Sequence, residues 1–196
     1  RELGTTGIKV SHFGFGSHVR SDLIPFTKER ERMVREAYDY GVNFFDVYDA
    51  EQKCFQYEPM GRYLKDVIND VVISISILPW DGRNLQEEME RDLRVFGRDY
   101  IDMVRIHTYF KTDKNWWQWD QLFKWKEEGK IRAVGIPIHG VEELDEPLEN
   151  YPIDYVIFPY NFYHNWAWLG YERKRQYSKN FDPLARSLKA KGIGTV

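Results

Sequence analysis

The feature that most constrains this chain is its rhythm. Short apolar runs alternate with segments of helical spacing from near the first residue to the last, which is the pattern of repeated βα units around a parallel sheet. Strand-like runs lie at 10–15 (VSHFGF), 43–47 (NFFDV), 71–77 (VVISISI), 101–106 (IDMVRI), 131–136 (IRAVGI), 154–158 (DYVIF) and 193–196 (IGTV). Between them, apolar residues recur at intervals of three and four: Met33, Val34, Ala37 and Tyr38; Met60, Leu64, Val67 and Ile68; Leu85, Met89, Leu93 and Phe96. Each set makes one stripe that a helix can lay against a sheet. Asn84 followed by Glu87 reads as a capping box, and Asp182 followed by Pro183 as an N-cap with proline at the first helical position.

The run 71–77 is the most informative strand. Val71, Ile73, Ile75 and Ile77 alternate with Val72, Ser74 and Ser76, so the bulky set should face helices and the smaller set a barrel interior. The expected fold is α/β, an incomplete (β/α)8 TIM barrel of parallel strands. A complete barrel takes about 250 residues, and this chain reaches Val196 in its seventh strand, so the last βα units are expected to be missing. An open doubly wound sheet also alternates β with α, and the pattern alone leaves it standing.

Composition narrows the class. With 196 residues and 42% hydrophobic content, residues 1–196 should form one domain with a sizeable core. The balance of 28 Lys+Arg against 31 Asp+Glu argues against nucleic acid or a membrane surface as partner, and no apolar run approaches the roughly 20 residues that span a bilayer. Cys54 is the single cysteine, which excludes an internal disulfide framework and fits a reducing, cytoplasmic setting. The start at Arg1, without methionine or leader, reads as trimmed.

A series of segments, in order, resembles the aldo-keto reductase family. RELGTTGIKVSHFGFGS resembles its N-terminal hairpin and first strand, AYDYGVNFFDVYDAE its first helix and second strand, and LQEEMERDLRVFGRDYIDMVRIH its third helix and fourth strand. KEEGKIRAVGI resembles the run into the fifth strand. YNFYH and the closing LKAKGIGTV look most like the subgroup that often carries a ferredoxin-like C-terminal tail, although this chain has no cysteine cluster to hold one.

That resemblance implies hydride transfer from NADPH to a carbonyl, with a tyrosine as proton donor, and here the chain departs from the pattern. Asp46 stands at the family's aspartate position and His107 at its histidine position. The tyrosine position is Glu51 and the lysine position Ser76. The Ser-Asn pair that holds the nicotinamide reads Pro137-Ile138, and the glutamine reads Ile157. The family's grip on phosphates and adenine follows strands beyond Val196, so no cofactor is expected from this chain, and NADPH only if reduction survives.

These departures have physical weight. A tyrosine near pKa 10 donates its proton here because a neighbouring ammonium and a histidine ease its ionisation, whereas a carboxyl would have to be held protonated at neutral pH. One compensation is visible: Arg105 lies two residues before His107 on the same strand, so both should share a face. Arg105 is therefore expected to neutralise Asp46 or Glu51, since an unpaired buried charge is costly.

Other features are read beside their plainer alternatives. His107, His139 and His164 fall near the ends of successive strands with Asp46 and Glu51, yet they carry no metal signature and read as polar groups lining a mouth rather than a metal site. Two aromatic loops, TYFKTDKNWWQW and YNFYHNWAWLGY, could bind a small molecule or a protein partner, or could cover the core, as the helical spacing of Trp119, Leu122 and Phe123 suggests. The basic run at 172–179 reads as a solvated face. Gly14 and Gly16 read as close packing in the first strand, with no dinucleotide fingerprint.

The resulting expectation is an aldo-keto reductase relative that is degenerate for standard carbonyl reduction, with catalytic candidates Asp46, Glu51 and His107, and with a binding, regulatory or repurposed role. The alternatives are an active NAD(P)H-dependent oxidoreductase with a rebuilt donor, Glu51, Tyr48 or Tyr57, and a different acid–base chemistry using Glu51 with His107.

Overall fold

The computed structural model describes residues 1–17, 28–48, 56–77, 84–106, 116–138, 140–160 and 181–196. Among them, β1 (Gly14–Gly16), β2 (Phe44–Val47), β3 (Val72–Ile77), β4 (Ile101–Ile106), β5 (Ile131–Pro137), β6 (Tyr155–Ile157) and β7 (Gly194–Thr195) alternate with helices. The helices are α1 (Lys28–Asp39), α2 (Tyr57–Tyr63), α3 (Leu85–Phe96), α4 (Trp116–Glu127), α5 (Asp145–Asn150) and α6 (Asp182–Ala190).

Every strand pairs in parallel with its sequence neighbour, in the order β1-β2-β3-β4-β5-β6-β7. A doubly wound sheet needs a point where strand order reverses, and none occurs here, so the sheet is that of an incomplete (β/α)8 barrel. The strand positions agree with the sequence reading to within a residue or two, except that β1 starts four residues later than the run 10–15. Residues 1–10 instead make an antiparallel turn. It carries a Glu2–Lys9 bridge, and the Leu3 amide donates to the Ile8 carbonyl at 2.9 Å.

Side-chain parity divides the interior in two. Ile73, Ile75 and Ile77 of β3 join Val104, Ile106, Val134, Ile136, the helical residues Met60, Leu85, Met89, Phe96 and Trp119, and Leu64 at the end of α2 in the layer between sheet and helices. Val72 belongs to a second cluster with Phe44, Met103, Ala133 and Tyr155, plugged by Leu3, Ile8 and Val10 of the N-terminal turn. The bulky-out, small-in reading of β3 therefore holds.

Three local expectations are revised. Met33 is 55% exposed, so the stripe of α1 rests on Val34 rather than on Met33. Asn84 caps α3 through its carboxamide oxygen, which accepts from the Gln86 and Glu87 amides at 3.0 and 3.4 Å, while Glu87 accepts from the Asn84 side chain rather than its backbone. Asp182 is the first residue of α6, not its cap: Phe181 holds that place, and the Asp182 carboxylate accepts the Tyr160 hydroxyl at 2.5 Å. Among the described residues no helix is long and apolar enough to cross a membrane.

Candidate functional site

At the C-terminal ends of the strands lies a cavity of about 420 Å³, lined by Gly16, Ser17, Asp46, Tyr48, Arg105, Pro137, Ile138, Ile157, Phe158 and Pro159. This is the end at which barrels of this kind build their sites, because strands there release their side chains toward one axis.

Its centre is an ion pair. Asp46, the third residue of β2, receives two hydrogen bonds from Arg105 of β4: Nη1 to Oδ1 at 2.5 Å and Nη2 to Oδ2 at 3.0 Å. Nη1 also reaches the Ser74 hydroxyl on the intervening strand at 2.9 Å. The register makes this possible, with Asp46 opposite Ser74 and Ser76 opposite Arg105. Arg105 is 3% exposed. Burial is the largest influence and works against its charge, but the Asp46 carboxylate, together with the nearby Tyr155 and Tyr57, holds the guanidinium above its ordinary range. The pairing inferred from strand parity is thus present, with Asp46 as the partner.

Below the pair sits Tyr155, buried on β6 opposite Gly135. A Cβ at Gly135 would stand 2.3 Å from the Tyr155 ring, so only glycine admits the ring across β5. Burial pushes the Tyr155 hydroxyl well above its usual range, partly offset by Arg105 and reinforced by Asp46. Sequence reasoning missed both residues. Tyr155 shares its face of β6 with Ile157, and that parity was the available signal.

Ser17 ties β1 to this centre, since its amide and hydroxyl both donate to the Asp46 carbonyl, at 2.9 and 3.0 Å. Behind it, buried Arg30 donates to the Ser17 carbonyl at 2.7 Å and to the Gln56 side chain at 2.5 Å, joining the starts of α1 and α2 to the cavity wall. Tyr48 faces the pair, with its ring centroid 5.8 Å from the Arg105 guanidinium carbon.

Tyr57 does not reach the mouth. It is buried at the start of α2, stacks edge-on with Phe96, and donates its hydroxyl to the Ser76 carbonyl at 2.7 Å, so its proton serves the helix–sheet contact. The Ser76 hydroxyl is buried without a hydrogen-bond partner among the described residues. Gly14 carries the Phe44 ring 2.4 Å from where a Cβ would stand, but Gly16 meets nothing within 4 Å and opens the cavity instead of packing.

Glu51, His107, His139, His164, Cys54 and the run 172–179 lie outside the described residues. No group of three potential metal ligands occurs among the described residues. Of the aromatic segments, Trp119, Leu122 and Trp125 are core residues of α4, and Phe123 stacks on Tyr151 at 5.3 Å. Trp117 is exposed, and most of the rest lie outside the description.

Pro137, Ile138 and Ile157 stand together on one wall of the cavity. None carries a side-chain donor or acceptor, so these three positions do not fit the side-chain grip on a nicotinamide carboxamide that the resemblance implies there.

Comparison with known proteins gives a consistent picture. The family model described as "Aldo/keto reductase family" matches residues 22–196. L-galactose dehydrogenase of Arabidopsis thaliana is 26% identical over 155 residues, covering 69% of this chain and 47% of that protein. The aldo-keto reductase YhdN of Bacillus subtilis is 25% identical over 179 residues, covering 82% and 53%. Among solved structures, the holo form of aldo-keto reductase AKR11C1 from Bacillus halodurans superposes with a TM-score of 0.80 at 21% identity, over 100% of this chain and 64% of that one. The chain thus spans about half the length of these two curated relatives.

Proposed function

The chain belongs to the aldo-keto reductase family, and from that premise we propose that its barrel mouth no longer carries out the family's standard NADPH-dependent carbonyl reduction and serves a binding, regulatory or repurposed role. The observation that carries this reading is the wall of Pro137, Ile138 and Ile157, three residues at the ends of β5 and β6 that line one cavity and offer a carboxamide no side-chain donor or acceptor. The cation has also moved. Where the family's lysine would stand beside a tyrosine, there is a buried serine, and Asp46 is held instead by Arg105, whose guanidinium is committed to that carboxylate through both terminal nitrogens. An arginine keeps its proton at every physiological pH, so it can hold charge but takes no part in proton relay.

The same reading takes residues 1–196 as one barrel domain in a reducing, cytoplasmic setting. It gives the mouth a small molecule or a protein partner as its ligand.

NADPH titrated into the protein, followed by nicotinamide fluorescence and protection against thermal unfolding, tests this directly. No saturable response is expected up to millimolar cofactor. Saturable binding would overturn the reading and justify a screen of aldehydes and ketones.

One observation favours a second reading, an active oxidoreductase with a rebuilt donor: Tyr48 lines the cavity with its ring against the Arg105 guanidinium, which brings a phenol to the mouth. Turnover of any carbonyl compound that Tyr48→Phe abolishes while the fold persists would establish it.

A further inference from the structure

We infer that the part of the mouth where the family holds nicotinamide has become, in this chain, a pocket for an uncharged, predominantly apolar small molecule. The inference rests on the reading that the cofactor site is lost, and it adds the chemical class of what replaces it.

The argument starts from charge. Asp46 and Arg105 are the two ionised side chains among the described residues lining the cavity, and two hydrogen bonds join them through both terminal nitrogens of Arg105, whose Nε is buried without a hydrogen-bond partner among the described residues. The pair is neutral as a unit and buried at its cationic end, with the Arg105 side chain 4% and the Asp46 side chain 20% exposed. A ligand carboxylate entering here would find its natural partner already occupied and would stand against the carboxylate of Asp46. A ligand cation would meet Arg105 in the same way. Either charge would lose water without gaining a counter-ion among the described lining residues, which is the arrangement that burial punishes most.

The walls point the same way. Pro137, Ile138, Ile157, Phe158 and Pro159 supply one continuous apolar side, carried by the ends of β5 and β6. That side is braced, because the Ile138 amide donates to the Ile157 carbonyl at 2.9 Å and Phe158 stacks on the buried ring of Phe181 at 4.8 Å. A volume of about 420 Å³ lies within the roughly 300–1,000 Å³ common for small-molecule sites. The polar residues Ser17 and Tyr48 line the same cavity from the ends of β1 and β2, and a single hydroxyl or carbonyl of an otherwise apolar body would be placed toward them.

A matched pair of probes decides the matter: 2-naphthalenemethanol and 2-naphthoate, of similar shape and differing in charge, titrated calorimetrically at pH 7 into the protein. The neutral probe is expected to bind one to one, at least about tenfold more tightly than the carboxylate. Pro137→Ser and Ile157→Gln, both at half-buried positions, should each weaken it by roughly tenfold, the scale set by exchanging apolar for polar contact in a pocket. Thermal unfolding of each variant verifies that it is folded, and having two variants guards against the loss of one. Absence of neutral binding, equal binding of both probes, or indifference to both substitutions would overturn the inference. NADPH is titrated in parallel: its binding would remove the underlying reading, whereas failure of the naphthalene probes alone would remove only the ligand class.

Discussion

At the scale of single residues, the centre of the mouth is the Asp46–Arg105 pair, with the neutral Ser76 in register with Arg105 on the neighbouring strand. Strand parity made Arg105 readable because its neighbour two residues on, His107, had a family counterpart with a known direction. The choice between Asp46 and Glu51 as its partner was not readable, since strand parity fixes only the face of β4 on which Arg105 lies. Arg105→Met should cost about 3 kcal/mol in urea unfolding, the low end for breaking a buried pair, because Asp46 keeps some contact with water. The double variant Arg105→Met/Asp46→Leu should regain most of that loss; if it is no more stable than the single variant, the pair is not what holds the two strands. Tyr57 gives the opposite case. Its hydroxyl is bonded to the Ser76 carbonyl within the helix–sheet layer, so Tyr57→Phe should lower stability by about 1 kcal/mol and leave any ligand affinity at the mouth unchanged. A changed affinity would return Tyr57 to the list of mouth residues.

At the scale of elements, the strands were legible because their apolar runs are short, bounded and rich in β-branched residues, and β3 even declared its two faces through Ile and Ser at alternating positions. What the pattern could not supply was the inner layer. Tyr155 and Gly135 look unremarkable in their own runs, and their relation exists only across the β5–β6 register. The cap of α6 was misread for a similar reason, since Asp182 is drawn to a hydroxyl 22 residues away. The inner layer is testable. Gly135→Ala places a methyl group against the Tyr155 ring, which β5 and β6 leave little room to retreat, and the expected cost is about 1–3 kcal/mol by thermal or urea unfolding. Adding Tyr155→Val, which clears the ring, should restore stability toward that of Tyr155→Val alone. Additive losses in the double variant would mean that the two residues do not share the space.

At the scale of the whole molecule, the N-terminal turn links the first and last described elements of the sheet. Leu3, Ile8 and Val10 fill the interior beneath β2 to β6, and the same turn is bonded to the approach to β7, with the Thr5 amide donating to the Gly192 carbonyl at 2.9 Å and Arg1 to the Thr195 carbonyl at 3.2 Å. Among the described strands, β1 and β7 stand at the two ends of the sheet order, and the turn that leads into β1 is bonded to β7 and its approach. Cooperativity across the sheet then depends on that turn as well as on the strand ladder. Ile8 is fully buried within it, and Ile8→Ala removes three carbons from a site that the surrounding strands cannot close around, at a cost of about 2–5 kcal/mol. The distribution of the loss is more telling than its size. Native-state hydrogen exchange should show the Gly194 and Val196 amides, which donate to β6 and its approach, losing protection together with the Leu3 amide, while amides at the centre of β3 and β4 fall only with global unfolding. If Gly194 and Val196 keep their protection in Ile8→Ala, the end of the sheet is secured by β6 alone and the turn is a passive cover.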